Sequence, residues 1–274
     1  SMDMISYGGN DPQSDSGIFK FVRIEYAGKR TKKYGYFNGL TLAGIGSQTI
    51  IEDVMVTYCQ GNSFYVLGGN TALSQLVSFR SMKNDFVFNY GAQSILTNSL
   101  AVKGPYFTSS GGASGIYLAS YDSVEETDPA KKGTHLDARN VTLLTVSDDL
   151  DAAIEVGLVS EALYVKNDAT FSFTKSVFSG FNPAVILDKK ISINNETLNQ
   201  MTFSNMYFNN CKGNIFTEDV PNNEDLENWY GNGIFQNVYS KGSDSETFIE
   251  VRDLSKPDFR LRINKIIASN LSED

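Results

Sequence analysis

Histidine occurs once in the 274 residues, at His135, tryptophan once, at Trp229, and cysteine twice, at Cys59 and Cys211. One imidazole excludes a His-rich metal centre and any mechanism that needs several histidines. Two cysteines are too few for a disulfide framework. Proline is scarce, at six residues, and the 23 glycines follow no three-residue period, so the chain is neither collagenous nor Pro-rich. Basic residues number 23 against 32 acidic ones, a net charge of −9, and they form no tail or stripe. Nucleic acid is therefore not an expected partner, because phosphate recognition needs clustered Lys and Arg. No apolar run approaches the roughly 18 residues that span a bilayer as a helix. Ser1-Met2-Asp3 has neither a basic start nor an apolar segment behind it, so no signal peptide is visible, and Ser-Met reads as a cloning remnant. What is present is 41% hydrophobic and 12% aromatic residues, too apolar for a disordered chain.

A short phrase recurs along the chain: an apolar residue, a spacer, a residue that is often Asn, Lys or Asp, then an alternating apolar run. It reads Phe19-Lys-Phe21-Val22, Ile51-Glu-Asp53-Val54, Leu73-Ser-Gln75-Leu76, Leu96-Thr-Asn98 and Ala138-Arg-Asn140-Val141. It continues as Phe173-Thr-Lys175, Phe203-Ser-Asn205-Met206, Phe235-Gln-Asn237-Val238 and Ile263-Asn-Lys265-Ile266. The shortest steps between third positions are the 22 from Asp53 to Gln75 and the 23 from Gln75 to Asn98. A fixed coil with loops inserted into some turns gives such a floor with longer steps above it. A second strand-like phrase follows each of the first eight: Leu40-Thr-Leu42, Phe64-Tyr-Val66, Phe86-Val-Phe88, Ile116-Tyr-Leu118, Ile154-Glu-Val156, Val185-Ile-Leu187, Ile215-Phe216 and Phe248-Ile-Glu-Val251. The 24 asparagines fit as well, since Asn tolerates the left-handed corners of repeated tight turns.

The expected fold is all-β: a single-stranded right-handed parallel β-helix of about nine coils over residues 1–274, with loops inserted after coils one, four and seven. Leucine-rich repeats and propellers fit less well, lacking here the Leu-x-x-Leu-x-Leu frame or four strands per blade. Val22, Val54, Leu76, Val141, Met206, Val238 and Ile266 should form one interior column. Cys59 and Cys211 each lie six residues past a corner position, about five coils or on the order of 24 Å apart. A disulfide needs Cα atoms within about 7 Å, so two free thiols are expected. Asp148 to Val159 reads two ways. Leading acids with apolar residues at 150, 154 and 158 suit a capped amphipathic helix; the repeat favours a strand at Ile154, and that reading is preferred.

Tyr7-Gly8-Gly9-Asn10-Asp11-Pro12, then Ser16-Gly17-Ile18-Phe19-Lys20-Phe21-Val22-Arg23-Ile24-Glu25-Tyr26-Ala27-Gly28, resembles a family of Bacteroidetes cell-envelope proteins, often lipoproteins. These carry a parallel β-helix similar to the pectin-lyase architecture and have no established reaction. The resemblance runs through Asn38-Gly39-Leu40-Thr41-Leu42, Gly46-Ser47 and Ile51-Glu52-Asp53-Val54, covers about the first hundred residues, and beyond them rests on coil pattern alone. It implies an outer-membrane surface location and earlier coils, or an export signal, ahead of Tyr7. The chain departs from the family at turns that are acidic in relatives. Gly61 and Asn62, then Lys83, Asn84 and Asp85, and finally Ile116 to Ala119 stand there. A cation site built from those carboxylates would be largely dismantled.

Fold alone does not assign chemistry. A lyase of this shape needs a basic residue beside a calcium-holding carboxylate cluster; Arg80, Lys83 and Asp85 are the one local set that suggests it, with too few oxygens for calcium. Asp148, Asp149 and Asp151 are the densest acids, as a glycosidase carboxylate pair would require, and read mainly as capping or solvated residues. His135 reads as a surface-loop residue. The polar insertion Pro221 to Gly231 holds Trp229 and Tyr230, aromatic faces flanked by Asn and acids that could stack on sugar rings or fold back over a groove. The 103–135 insertion, with Pro105, Tyr106 and Phe107, is a second candidate loop. Asp122-Ser123-Val124 resembles a Bacteroidetes O-glycosylation triplet. No catalytic set, metal site or cofactor is expected. The leading reading is a surface-exposed envelope module that binds a glycan, a peptide or an outer-membrane partner, with Trp229, Tyr230, Arg80 and Asp85 as contact candidates. A carbohydrate-active enzyme and an adhesin-like spacer are the alternatives.

Overall fold

The computed structural model describes residues 8, 11–32, 35–107, 113–122, 132–253 and 255–262. The chain winds into a parallel β-helix with three faces. Coil 1 holds β1 (Ile18–Glu25), a small antiparallel hairpin β2 (Arg30–Thr31) and β3 (Gly35–Tyr36), and β4 (Leu40–Ala43). Coil 2 holds β5 (Ile50–Thr57) and β6 (Phe64–Leu67); coil 3 holds β7 (Asn70–Ser74), β8 (Val77–Phe79) and β9 (Phe86–Asn89). Coil 4 is β10 (Gln93–Thr97), β11 (Leu100–Lys103) and β12 (Ile116–Ala119). Coil 5 is β13 (His135–Arg139), β14 (Thr142–Thr145), helix α1 (Leu150–Glu155) and β15 (Leu163–Lys166). Coil 6 is β16 (Thr170–Thr174), β17 (Val177–Ser179) and β18 (Val185–Leu187). Coil 7 begins with helix α2 (Asn195–Leu198) and continues as β19 (Met201–Ser204), β20 (Tyr207–Asn209) and β21 (Ile215–Thr217). After helix α3 (Asn223–Tyr230), an eighth coil contributes β22 (Val238–Ser240).

Strands β7, β10, β13, β16 and β19 stack in parallel as the first face, and β8, β11, β14, β17, β20 and β22 as the second. The third face is β4, β6, β9, β12, β15, β18 and β21. Strands β1 and β5 run through the corner between the first two faces, so those faces form one 13-stranded sheet. Pairing is in strict register, for instance Phe64 with Phe86 and Phe86 with Ile116, so equivalent side chains stack about 4.8 Å apart.

The recurring phrase marks this corner. Phe21, Asp53, Gln75, Asn98, Asn140, Lys175 and Asn205 all have φ between 49° and 57°. The residue after each turns inward: Val54, Leu76, Val141 and Met206 are at most 1% exposed. Ser99 and Ser176 replace the apolar residue in this column, and their hydroxyls accept from the Leu76 and Val141 N–H groups at 3.1 and 3.0 Å. At the next corner, Asn62 donates to Asn38 Oδ1 through Nδ2 at 2.9 Å, and the Asn84 N–H donates to Asn62 Oδ1 at 3.2 Å. Gly61, next to Asn62, leaves no room for a side chain, because a Cβ there would lie 2.0 Å from Phe37 O.

Four expectations need correction. Residues 150–155 are helix, not strand: Asp149 caps α1 by accepting from the Ala152 N–H at 3.0 Å, and Leu163–Lys166 forms the third-face strand of that coil. Insertions carrying α1, within coil 5, and α2, at the start of coil 7, therefore add to the expected ones. In coil 8 the left-handed residue is Gln236, φ 53°, so Asn237 takes the interior position and accepts from Met206 N, while Val238 pairs with Tyr207 on the second face. Phe248–Glu250 is not a coil strand. It forms β23, which pairs antiparallel with β24 (Asp258–Leu261) after a one-turn helix, α4 (Asp244–Thr247). The ninth phrase, Ile263 to Ile266, lies outside the described residues. Both cysteines are free.

The β23–β24 hairpin folds back over the second face. Phe248 and Val251 bury the outward side chains Leu144, Val177 and Tyr207, with Phe259 and Leu261 packed alongside. Hence Leu143 and Leu144, on opposite sides of one strand, are both fully buried.

Candidate functional site

The corner between the second and third faces carries the Arg80–Lys83–Asp85 set, and the fold splits it. Arg80 sits in the left-handed region at φ 55° and lies on the outside, its guanidinium 4.8 Å above the Phe107 ring and 5.2 Å above Phe79. Lys83 Nζ lies 5.6 Å from the Tyr36 ring. Asp85 faces the other way and is fully buried. Its Oδ1 accepts from the Ser78 hydroxyl at 2.5 Å, and that hydroxyl lies 2.7 Å from Ser63 Oγ. Lys103 Nζ, nearly as buried, stands 3.1 Å from Asp85 Oδ2 and donates to Lys83 O at 2.9 Å. Burial pushes the Asp85 carboxyl up, against the pull of Lys103 and Ser78. Arg80 and Asp85 therefore cannot act as a base and carboxylate on one ligand, and Asp85 is withdrawn from any surface ligand.

The other acids and the histidine are also placed by local structure. Asp149 and Asp151 cap and open α1. His135 starts β13 rather than sitting in a loop, half-buried between Gln93 and Thr170 of the flanking strands, with Nδ1 2.8 Å from Thr170 Oγ1. Among the described residues, no three His, Cys, Asp or Glu side chains gather closely enough to hold a metal ion.

Trp229 and Tyr230 part company on α3. Leu226 and Tyr230, one helical turn apart, both point into the solenoid and seal its interior after coil 7. Tyr230 is 1% exposed, packs edge-on against Phe203 at 5.2 Å and donates to Met201 O at 2.6 Å. Burial removes it from ligand contact. Trp229 instead lines a cleft between α2 and α3, about 430 Å³ in volume, with Ile193 and Leu198 as further apolar lining. Around it stand Asn194, Asn195, Asp225, Asn228 and Asn232, all exposed. Asn194 and Asn232 use their side-chain oxygens to cap the turns that follow, at 3.0 and 3.1 Å, which leaves their NH2 groups directed by fixed backbone. The size suits a small ligand, and the lining combines an aromatic face with several donors and one carboxylate acceptor. Trp229 Nε1 is buried and has no hydrogen-bond partner among the described residues.

A second exposed assembly had not been singled out in the sequence. Tyr26 and Tyr58 stack at 5.2 Å and 7°, and Tyr58 meets the edges of Phe79 and Phe107 at 5.8 and 5.9 Å. Tyr26, Tyr58 and Arg80 each lie five residues past the phrase's left-handed position and are left-handed themselves, where coils 6 and 7 place Gly180 and Asn210. A bulky side chain in this conformation costs about 1–2 kcal/mol, and here it is retained in three consecutive coils. The constant five-residue offset was the available signal.

Comparison with known proteins adds one finding: the profile of the pectate-lyase like beta helix domain matches residues 2–249. Among curated proteins and among solved structures no match is found.

Proposed function

The chain belongs to the pectate-lyase like beta helix domain family, and on that premise we propose that it is a glycan-binding module displayed on a bacterial cell envelope. The envelope location rests on the resemblance of its first hundred residues. The observation that carries the binding role is the Trp229 cleft. Sugar C–H groups pack on an indole face, carboxamide groups bridge neighbouring hydroxyls, and a carboxylate accepts from a third; Trp229, the four asparagines and Asp225 supply this chemistry on two short helices held by the solenoid end. The Tyr26–Tyr58–Arg80 shelf offers a further apolar surface for a longer chain.

Trp229 is the sole tryptophan, so its emission reports on the cleft directly. Titration with a panel of neutral and acidic oligosaccharides should shift that emission for at least one of them. Calorimetry should show the affinity lost in Trp229→Ala and reduced roughly tenfold, about 1.4 kcal/mol, in Asn228→Ala. Trp229→Phe should keep most of the affinity while removing an unpaired buried N–H, which leaves stability equal or higher. Unchanged emission and no heat across the panel would refute the reading. Family membership also favours testing a carbohydrate-active enzyme: release of reducing ends from a bound oligosaccharide, with binding intact in Trp229→Phe, would convert the module into a catalyst.

A further inference from the structure

The Lys103–Asp85 pair is the one ion pair among the described residues with both side chains enclosed, at 4% and 0% exposure. An enclosed ion pair is held at a desolvation cost that attraction offsets only with full hydrogen bonding. Here that bonding is incomplete in a particular way. Asp85 Oδ1 accepts from Ser78, whereas Oδ2 faces Lys103 Nζ at 3.1 Å and takes no hydrogen bond from any other group among the described residues. Lys103 Nζ itself donates to Lys83 O at 2.9 Å. The site thus holds a donor for one carbonyl oxygen, an acceptor for one N–H, and a second carboxyl oxygen whose one partner among the described residues is the Lys103 nitrogen itself. These are the partners of a secondary amide.

We propose that Lys103 and Asp85 are joined by an intramolecular isopeptide bond that the folded chain forms by itself. Proton transfer within the pair, from Lys103 Nζ to the Asp85 carboxylate, supplies the neutral amine and the neutral carboxylic acid that the condensation requires. The Lys103 amine lone pair attacks Asp85 Cγ, and the Cγ–Nζ bond forms as the Cγ–Oδ2 bond breaks. Oδ2 departs as water with the carboxyl proton and one amine proton. No electrons are gained or lost and no co-reactant is needed. The product N–H keeps its bond to Lys83 O, and the product carbonyl, the former Oδ1, keeps its bond from Ser78. The fold supplies the proximity that makes such a condensation favourable. Enclosure limits the return of water to the amide. The new bond ties the end of β11 to the corner before β9, linking coil 4 covalently to coil 3.

Electrospray mass of the intact protein under denaturing conditions tests this. The expected mass is one water below that of the sequence. Trypsin should fail to cut after Lys103, so that the peptide starting at Asn84 runs on to the next basic residue, with fragment ions that place the linkage between Asp85 and Lys103. Lys103→Arg and Asp85→Ala should each restore the full mass. Full mass in the native sequence, with normal cleavage after Lys103, would overturn the proposal. So would loss of water with cleavage after Lys103 intact, which marks a succinimide at Asp85 instead. The peptide map of the native protein decides the matter even where a variant does not fold.

Discussion

Coils 2 to 4 and coils 6 to 7 enclose very different side chains behind the same corner geometry. In the first region the interior holds Ser63, Thr71, Ser78, Asp85, Ser94 and Lys103, all at most 3% exposed, with Thr71 Oγ1 2.9 Å from Ser94 Oγ. In the second it is a block of rings: Phe171, Phe173, Phe178, Phe203 and Phe208, closed by Tyr230, with centroids 4.7 to 6.2 Å apart. The backbone hydrogen bonds run between coils in both regions and leave the interior free to be polar or apolar. A polar interior is tolerated where each group finds a partner in the adjacent coil, and its stability then depends on pairs. The aromatic interior depends on volume.

That contrast can be broken at either end. Phe203→Ala removes the ring that touches Phe171, Phe173, Phe178, Phe208 and Tyr230, and should cost about 3–5 kcal/mol in urea unfolding. Ser78→Ala deletes a much smaller group but strips Asp85 Oδ1 of its donor, for an expected loss of about 2 kcal/mol. The ratio of these losses is informative: a Ser78→Ala effect below about 0.5 kcal/mol would show that the polar interior does not rely on pairing. Alkaline pH separates the regions differently, because the phenols raised by burial lie in the C-terminal half together with Cys211, whereas coils 2 to 4 hold one raised group of this kind among the described residues, the Cys59 thiol. Burial raises Tyr230 and Tyr164, and pushes Tyr239 and Cys211 up to about 12, from ordinary values of 10 and 9. Below pH 9 these groups are protonated in both states. Above it the unfolded chain ionises first, so stability should fall as pH rises from 9 towards 12, and phenolate absorbance at Tyr230 should appear only with unfolding. The smallest effect is expected at the outer corner. Tyr58→Asn relieves about 1 kcal/mol of left-handed strain and forfeits about as much stacking on Tyr26, so Tm should stay nearly constant; a drop of several degrees would show that the shelf is structural.

The coil repeat was legible because left-handed corners demand particular residues at fixed spacing, and an inward apolar residue follows each one. Asn98, Asn140 and Asn205 are such markers. The repeat failed where a local device outweighed it. The Asp149 cap turns 150–155 into helix, and the Gly233–Phe235 turn shifts coil 8 by one residue. The second-face covering was written in Leu100-Ala101-Val102 and Leu143-Leu144, which lack the polar alternation of a solvated strand. Of the candidate contacts, Trp229 reaches a cleft and Arg80 an exposed shelf, while Tyr230 and Asp85 are enclosed. Composition alone cannot distinguish these outcomes, since an amphipathic helix must bury one of two adjacent aromatics and a corner must turn one of two nearby charges inward.

A stack of coils in which each touches only its neighbours unfolds like a zipper, with its ends fraying independently of the middle. The C-terminal hairpin alters that behaviour. Phe259 reaches Phe79 of coil 3, Phe259 and Leu261 pack against the cluster of Leu144, Val177 and Tyr207 from coils 5, 6 and 7, and Pro257–Leu261 share a groove with Leu100 of coil 4. A segment that follows all the described coils in sequence is thus a clasp along the stack, and opening any coil beneath it loosens its hold on the others. The solenoid should melt in one cooperative step rather than coil by coil, and hydrogen exchange should find coils 3 to 6 protected as a single block.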